Sequence, residues 1–129
     1  MTKETYKGSC HCGRVQFEVD TNLDHVRVCN CSICFKRGAL IHRVAEQDFR
    51  PLTPVEDLQL YTWGTKTAKD YFCPDCGILP YRRPSAPSRS EKAAGMEVFE
   101  GWSINARCLD ADLTNLEVVQ IDGAAISYP

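Results

Sequence analysis

The sequence has no apolar run approaching the ~20 residues needed to cross a bilayer. Its N-terminal stretch, MTKETYKGSC, carries no apolar signal segment. Together these absences predict a cytoplasmic protein without a membrane partner. The formal net charge of −2 over 129 residues argues against bulk attraction to nucleic acid. No Ser–His–Asp arrangement, phosphate-binding loop or paired-carboxylate motif is evident.

Helical periodicity is weak, whereas alternation of apolar and polar residues recurs along the chain. We expect strands at 15–20, 25–31, 39–45, 58–63, 68–73 and 116–123. Single helical turns fit 45–49, 54–58 and 110–116. The segment 82–95, RRPSAPSRSEKAAG, is rich in Pro, Ser and charge and predicts a loop. The sequence thus predicts one mainly β domain over residues 1–129.

Eight cysteines are many for a chain with no export signal. A reducing compartment disfavours structural disulfides and favours metal thiolates. The cysteines are also clustered as C-x-C and C-x-x-C pairs, whose disulfides would close loops too small to stabilise a fold. Metal ligation is therefore the favoured interpretation, with four disulfides as the alternative in a secreted chain.

Two cysteine pairs have the spacing of metal-binding knuckles, SCHCG and YFCPDCG. In each pair a glycine, Gly13 or Gly77, follows the second cysteine, where a knuckle turn often requires a positive φ. A closed four-thiolate site would stabilise the fold directly. The predicted ligands of this structural site are Cys10, Cys12, Cys73 and Cys76.

The remaining cluster, CNCSIC, supplies Cys29, Cys31 and Cys34. Three thiolates on zinc leave a fourth position open, as a catalytic zinc requires. Alternatively, a fourth side chain closes the site. The residues considered for that position are Cys108, His42, His25, His11 and an acidic side chain.

Three thiolates around Zn²⁺ carry a net charge of −1, and a fourth thiolate would make it −2. Nearby cations should therefore help a thiolate to bind. Lys36 and Arg37 follow the cluster directly. A solvated surface role is the alternative for each of them.

The segments KGSCHCGRVQFEV, CNCSIC, YFCPDCGILPYRRP and NARCLD, in this order and spacing, resemble the glutathione-dependent formaldehyde-activating enzyme family. That family also includes centromere protein V. The segments CNCSIC and KTAKDYFCPDCGI are similar in sequence to the corresponding segments of that branch. The resemblance runs from about residue 6 to 123. The sequence departs from the branch at Leu79, where a histidine commonly stands.

The resemblance implies a β-tent fold of small coiled antiparallel sheets stapled by zinc, with one structural and one catalytic ion. It matches Cys10, Cys12, Cys73 and Cys76 to the structural ligands and Cys29, Cys31 and Cys34 to the catalytic ones. The implied activity is that of a carbon–sulfur lyase, which condenses glutathione with formaldehyde to S-hydroxymethylglutathione. Residues expected to hold the glutathione carboxylates are Arg37, foremost, and Arg82, Arg83 and Arg107.

Two rival hypotheses remain open. A non-catalytic zinc module could bind protein or nucleic acid through the basic segment 82–92. Four thiolates could alternatively hold iron, as in rubredoxin-type or iron–sulfur sites. Saturable binding of glutathione would favour the enzyme. Salt-dependent binding of DNA would favour the non-catalytic zinc module. A coloured purified protein would favour the iron site.

Overall fold

The structure is a computed structural model. It describes residues 3–63, 68–84, 99 and 101–122. The described residues form ten strands and one short α-helix. The strands are β1 (Glu4–Ser9), β2 (Gln16–Thr21), β3 (His25–Cys29), β4 (Ile41–Ala45), β5 (Phe49–Pro51), β6 (Gln59–Tyr61), β7 (Lys69–Phe72), β8 (Tyr81–Arg83), β9 (Gly101–Asn105) and β10 (Glu117–Ile121). The helix α1 spans Ser32–Arg37, and 3-10 turns occupy Glu46–Asp48, Val55–Asp57 and Ala106–Cys108.

These strands build two sheets. The smaller has the order β1-β2-β5, and the larger has the order β10-β3-β4-β9-β8-β7-β6. All the neighbouring strands pair antiparallel except β10 and β3, which run parallel in register from Glu117 against His25 to Ile121 against Cys29. The C-terminal strand therefore ends beside the cysteine that begins the CNCSIC segment.

An aromatic core lies between the two sheets. The small sheet contributes Phe17 and Phe49, and the large sheet contributes Tyr81 and Trp102. The Phe49 and Trp102 rings stack with centroids 4.7 Å apart, and Phe17 meets Tyr81 edge-on at 5.5 Å. Tilted and edge-on contacts of this kind add to the hydrophobic stabilisation of ring burial. The packing fixes the angle between the sheets and hence the relative positions of the cysteine segments that they carry.

The mainly β class predicted from the sequence is confirmed, and each of the six predicted strand segments contains a strand. The single turns expected at 45–49 and 54–58 are present as 3-10 turns, whereas 110–116 forms no helical turn. The predicted loop 82–95 is wrong at its start, because Arg82 and Arg83 belong to β8. Positions 85–95 lie outside the described residues. Whether residues 1–129 form one domain stays a prediction.

Within the described ranges, no helix is long and apolar enough to span a bilayer.

Candidate metal centres

The first cysteine cluster brings together two segments that are more than 60 residues apart in the chain. The ligand atoms of Cys10, Cys12, Cys73 and Cys76 all lie within 4.8 Å of one another. The Sγ of Cys12 is 3.6 Å from the Sγ of both Cys10 and Cys73. This arrangement connects the turn between β1 and β2 to the segment that follows β7.

The two halves of this cluster are folded alike. The backbone N–H of Cys10 donates to the carbonyl of Val15, and that of Cys73 donates to the carbonyl of Ile78, five residues on in both cases. Gly13 and Gly77 have φ of +83° and +79°, as predicted for knuckle turns. Residues that carry a side chain rarely adopt this left-handed backbone conformation. Glycine has no Cβ and therefore closes each turn without strain.

The donor set fits a tetrahedral metal. Zn–S bonds of ~2.3 Å in a tetrahedron separate the sulfurs by about 3.8 Å, close to the distances seen here. Backbone N–H groups also reach the sulfurs, from Val15 to Cys10 at 3.3 Å and from Asp75 to Cys73 at 3.4 Å. Such hydrogen bonds stabilise thiolates, which are the form that binds a metal. The cluster could therefore hold one metal ion with no position left over.

The second cluster consists of Cys29, Cys31 and Cys34, whose sulfurs again lie within 4.8 Å of one another. Cys29 is the last residue of β3, Cys31 is the N-cap of α1, and Cys34 lies in its first turn. The N–H of Phe35 donates to the carbonyl of Cys31 at 2.8 Å, which begins the helix. This change from strand to helix within six residues turns all three thiols towards one point.

The parallel strand β10 supports this turn from the side. The backbone N–H of Asn30 donates to the carbonyl of Ile121 at 3.2 Å, and its side-chain amide donates to Asp122 at 3.0 Å. Asn30 is thus held by two bonds to one distant segment. The spacing between Cys29 and Cys31 is therefore fixed by tertiary structure as well as by the local turn.

The thiols of this cluster differ in acidity. Burial acts to raise the pKa of Cys31, but the neighbouring backbone N–H of Cys34 and the adjacent thiols outweigh it, and the pKa is lowered. Burial, and then the neighbouring Cys31, raise the pKa of Cys34 to about 12. Cys31 therefore ionises more readily than Cys34, and a bound cation is needed to hold both as thiolates.

No fourth Cys, His, Asp or Glu of the described ranges places a ligand atom in this group. His42 is buried and both ring nitrogens are engaged, Nε2 with Thr21 Oγ1 at 2.7 Å and Nδ1 with the carbonyl of His25 at 2.8 Å. His25 contacts Asp24 at 2.7 Å through Nδ1. Cys108 packs against the core, where burial raises its pKa to about 12. These three candidates for the fourth ligand therefore have other roles, and His11 lies in the first knuckle.

The arginines expected to hold substrate carboxylates fall into different environments. Arg37 and Arg82 both bind Asp70, whereas Arg83 pairs with Glu46 and lies 4.8 Å over the Trp102 ring. Arg107 is exposed on the 3-10 turn after β9. The pairing of Arg82 and Arg83 within the chain leaves less of the basic segment for a nucleic-acid partner. The rest of that segment lies outside the described residues.

A cleft of about 440 Å³ lies beside Arg37 and Asp70. Gly77, Ile78 and Leu79 form part of its wall, directly after the first cysteine cluster in the chain. The Asn105 amide donates to the carbonyl of Leu79 at 3.1 Å and so fixes this wall. Sequence reasoning missed Asp70 and Asn105 as site residues. The only available signal was a lone acidic residue in the predicted strand segment 68–73.

The model of the family described as glutathione-dependent formaldehyde-activating enzyme matches residues 5–101. The chain belongs to the glutathione-dependent formaldehyde-activating enzyme family. The predicted family resemblance is confirmed, and with it a glutathione-dependent, formaldehyde-activating type of function at the family level.

A solved structure of another protein is similar to this member of the family. It is the crystal structure of a Rhodobacter sphaeroides protein, 33% identical, with a TM-score of 0.68. The match covers 88% of this chain and 99% of the other. The likeness therefore extends over most of this chain.

Proposed function

We propose that the protein adds a thiol such as glutathione to formaldehyde or a related small aldehyde, as a zinc-dependent carbon–sulfur lyase resembling S-(hydroxymethyl)glutathione synthase. In this reaction the thiol loses its proton, a carbon–sulfur bond forms, and the carbonyl π pair moves to oxygen, which takes up a proton. Cys29, Cys31 and Cys34 would hold the catalytic zinc. Cys10, Cys12, Cys73 and Cys76 would hold the structural zinc.

The observation that carries the proposal is the difference between the two clusters. The first offers four sulfurs, whereas the second offers three from the described residues, two of them half-buried. Structural zinc sites are closed by four protein ligands, and catalytic sites keep a position for water or substrate. Zinc held by the three thiolates would lower the pKa of a thiol at that position from its ordinary ~8.5.

The chain's own residues would position the reacting thiol and favour the negative charge that develops in the reaction. Cys29, Cys31 and Cys34 present their sulfurs from one turn, so a thiol bound at the metal would be held at one place. The N–H of Cys31 donates to the Sγ of Cys29 at 3.5 Å, which steadies that ligand. The guanidinium of Arg82 favours the ionised form of Cys34 and would likewise favour negative charge developing at the aldehyde oxygen.

The test combines metal analysis with product formation. The purified protein is expected to contain two zinc equivalents and to form S-hydroxymethylglutathione faster than the spontaneous reaction, as followed by NMR exchange. Cys31→Ser should abolish this acceleration. A protein with two zinc ions that binds no glutathione, or acceleration that persists in Cys31→Ser, would contradict the proposal.

A further inference from the structure

The short helix α1, which carries Cys34, has little hydrophobic packing to hold it in place. None of its six residues is fully buried, and Phe35 is 77% exposed. The half-buried residues Ile33, Cys34 and Arg37 are spaced three and four apart, so they share one side of the helix. A helix of this length is not stable on its own. The position of the Cys34 sulfur therefore depends on tertiary contacts other than a buried apolar face.

Polar bonds hold the segment with the three cysteines at both of its ends. At its start, Asn30 is bonded to the end of β10 and to the residue that follows β10. At its other end, Arg37 follows Cys34 by three residues, and its Nη2 donates to Asp70 Oδ2 at 2.8 Å. Residues three apart in a helix lie on the same face. The bond to Asp70 therefore acts on the side of α1 that carries the Cys34 thiol.

Asp70 is a fixed point for this bond. Its side chain is 2% exposed, and its Oδ1 accepts a second hydrogen bond, of 2.6 Å, from Arg82 Nε on the neighbouring strand. The strand that carries Asp70, β7, lies between β6 and β8 in the large sheet and leads directly to Cys73 of the four-cysteine cluster. The side chain of Arg37 is only 12% exposed. A shift of α1 would thus leave a buried guanidinium without its counter-charge, which is costly.

We propose that Asp70 is a positioning residue for the three-cysteine metal site and that it acts through Arg37. The bond between them fixes α1 against the large sheet and so keeps the Cys34 sulfur beside those of Cys29 and Cys31. Arg37 then serves the metal site itself, a role that an arginine used only to bind substrate does not have. This inference rests on the proposed function, in which the three cysteines hold a zinc ion, and it adds two residues that support that site.

The experiment measures metal binding at each of the two sites separately. Titration of zinc in competition with a chromophoric chelator gives the two affinities, and NMR of the cadmium-loaded protein gives one cadmium resonance for each occupied site. Side chains that orient metal ligands typically contribute about 10–100-fold to metal affinity. We expect Asp70→Asn to weaken zinc binding at the three-cysteine site by about tenfold and to shift the cadmium resonance of that site. The four-cysteine site should keep its zinc affinity and its resonance.

Arg37→Gln tests whether Asp70 acts through Arg37. It should weaken zinc binding at the same site by about tenfold, and the double variant should be no weaker than either single variant, since both changes remove one bond. Asp20→Asn is the matched control. Asp20 accepts two hydrogen bonds of 2.8 Å from Arg50 within the small sheet, so the control removes a comparable ion pair elsewhere in the fold. It should leave both zinc affinities unchanged.

The other outcomes separate this inference from the proposed function. Unchanged zinc affinity of the three-cysteine site in Arg37→Gln overturns the positioning role and leaves the proposed function standing. Equal weakening of both sites by Asp70→Asn also overturns the positioning role, since it shows a general loss of stability. Additive losses in the double variant show that Asp70 does not act through Arg37. An unmodified protein that binds a single metal ion at full loading removes the proposed catalytic zinc together with the positioning role.

Discussion

Asp70 and Arg82 stand directly opposite each other in the antiparallel pairing of β7 and β8, joined by a 2.6 Å hydrogen bond. Both side chains are largely buried. A charge buried in this way is tolerated because its partners are fixed, and removing one partner leaves the other uncompensated. The pair therefore links stability to the site, because Asp70 also holds Arg37.

Asp70→Asn should destabilise the protein by about 3 kcal/mol, since two buried guanidinium groups lose their counter-charge. Urea unfolding of the zinc-loaded protein would measure the difference. Asp75→Asn is the matched control, because Asp75 binds Arg14 at 3.0 Å with its side chain 58% exposed. That exposed pair should contribute less than about 1 kcal/mol. A similar decrease in the free energy of unfolding in both variants would show that burial of Asp70 does not strengthen its contribution to stability.

Much of the β class could be read from the sequence, because alternation in segments such as 15–20 reports burial on one sheet face. The helix α1 could not be predicted from the sequence. Its six residues are too few for a helical period, and it is held by Gly38 in the left-handed region at φ +68° and by the turn at Cys31. Short elements of this kind are set by tertiary context rather than by propensity.

The cysteine groups were predictable because C-x-C and C-x-x-C spacing places ligands locally, and the structure assembles the same two groups. The cleft was not predictable. Its residues come from α1, β6, β7, β9 and the segment after Cys76, which strand pairing and tertiary packing bring together from distant parts of the chain. Leu79 also lines the cleft.

The two cysteine clusters should respond differently to a single substitution. Cys73→Ser removes a buried ligand that joins distant segments, so the domain should lose zinc and its cooperative thermal transition. Cys31→Ser should release one zinc while the circular dichroism spectrum and most of the melting temperature are retained. Metal analysis and thermal melting of both variants provide the measurement. Equal loss of fold in the two variants would contradict the division into structural and catalytic sites.

Gly77 should be intolerant of a β-carbon for conformational reasons alone. Its φ is +79°, and an added Cβ would meet no atom within 4 Å, so any cost arises from the backbone. Gly77→Ala should therefore destabilise by about 1–2 kcal/mol. Gly77→Asn should cost less, because asparagine enters the left-handed region more readily. Chemical unfolding of the zinc-loaded variants tests this, and an alanine variant as stable as the asparagine variant would refute it.

His42 should make stability fall as the pH drops below neutrality. Its ring is hydrogen-bonded on both nitrogens, and burial lowers its pKa below the ordinary value. The unfolded chain therefore binds a proton near pH 6.5, and the folded protein binds it only at lower pH. Between the lowered pKa of His42 in the folded protein and the ordinary value of about 6.5, the free energy of unfolding decreases as the pH decreases. Well above pH ~6.5 the full contribution of the neutral His42 to stability is present.

The test is the pH dependence of unfolding between pH 7.5 and 5.5 for the unmodified protein and His42→Gln. The glutamine variant does not titrate, so its stability should fall less steeply over this range. Protonation of the cysteine ligands affects both proteins alike, and the difference between the two curves isolates His42. The neighbours His25, with its ring 5.3 Å away, and Asp24 are the same in both proteins. Parallel curves would show that the buried imidazole does not couple folding to proton binding.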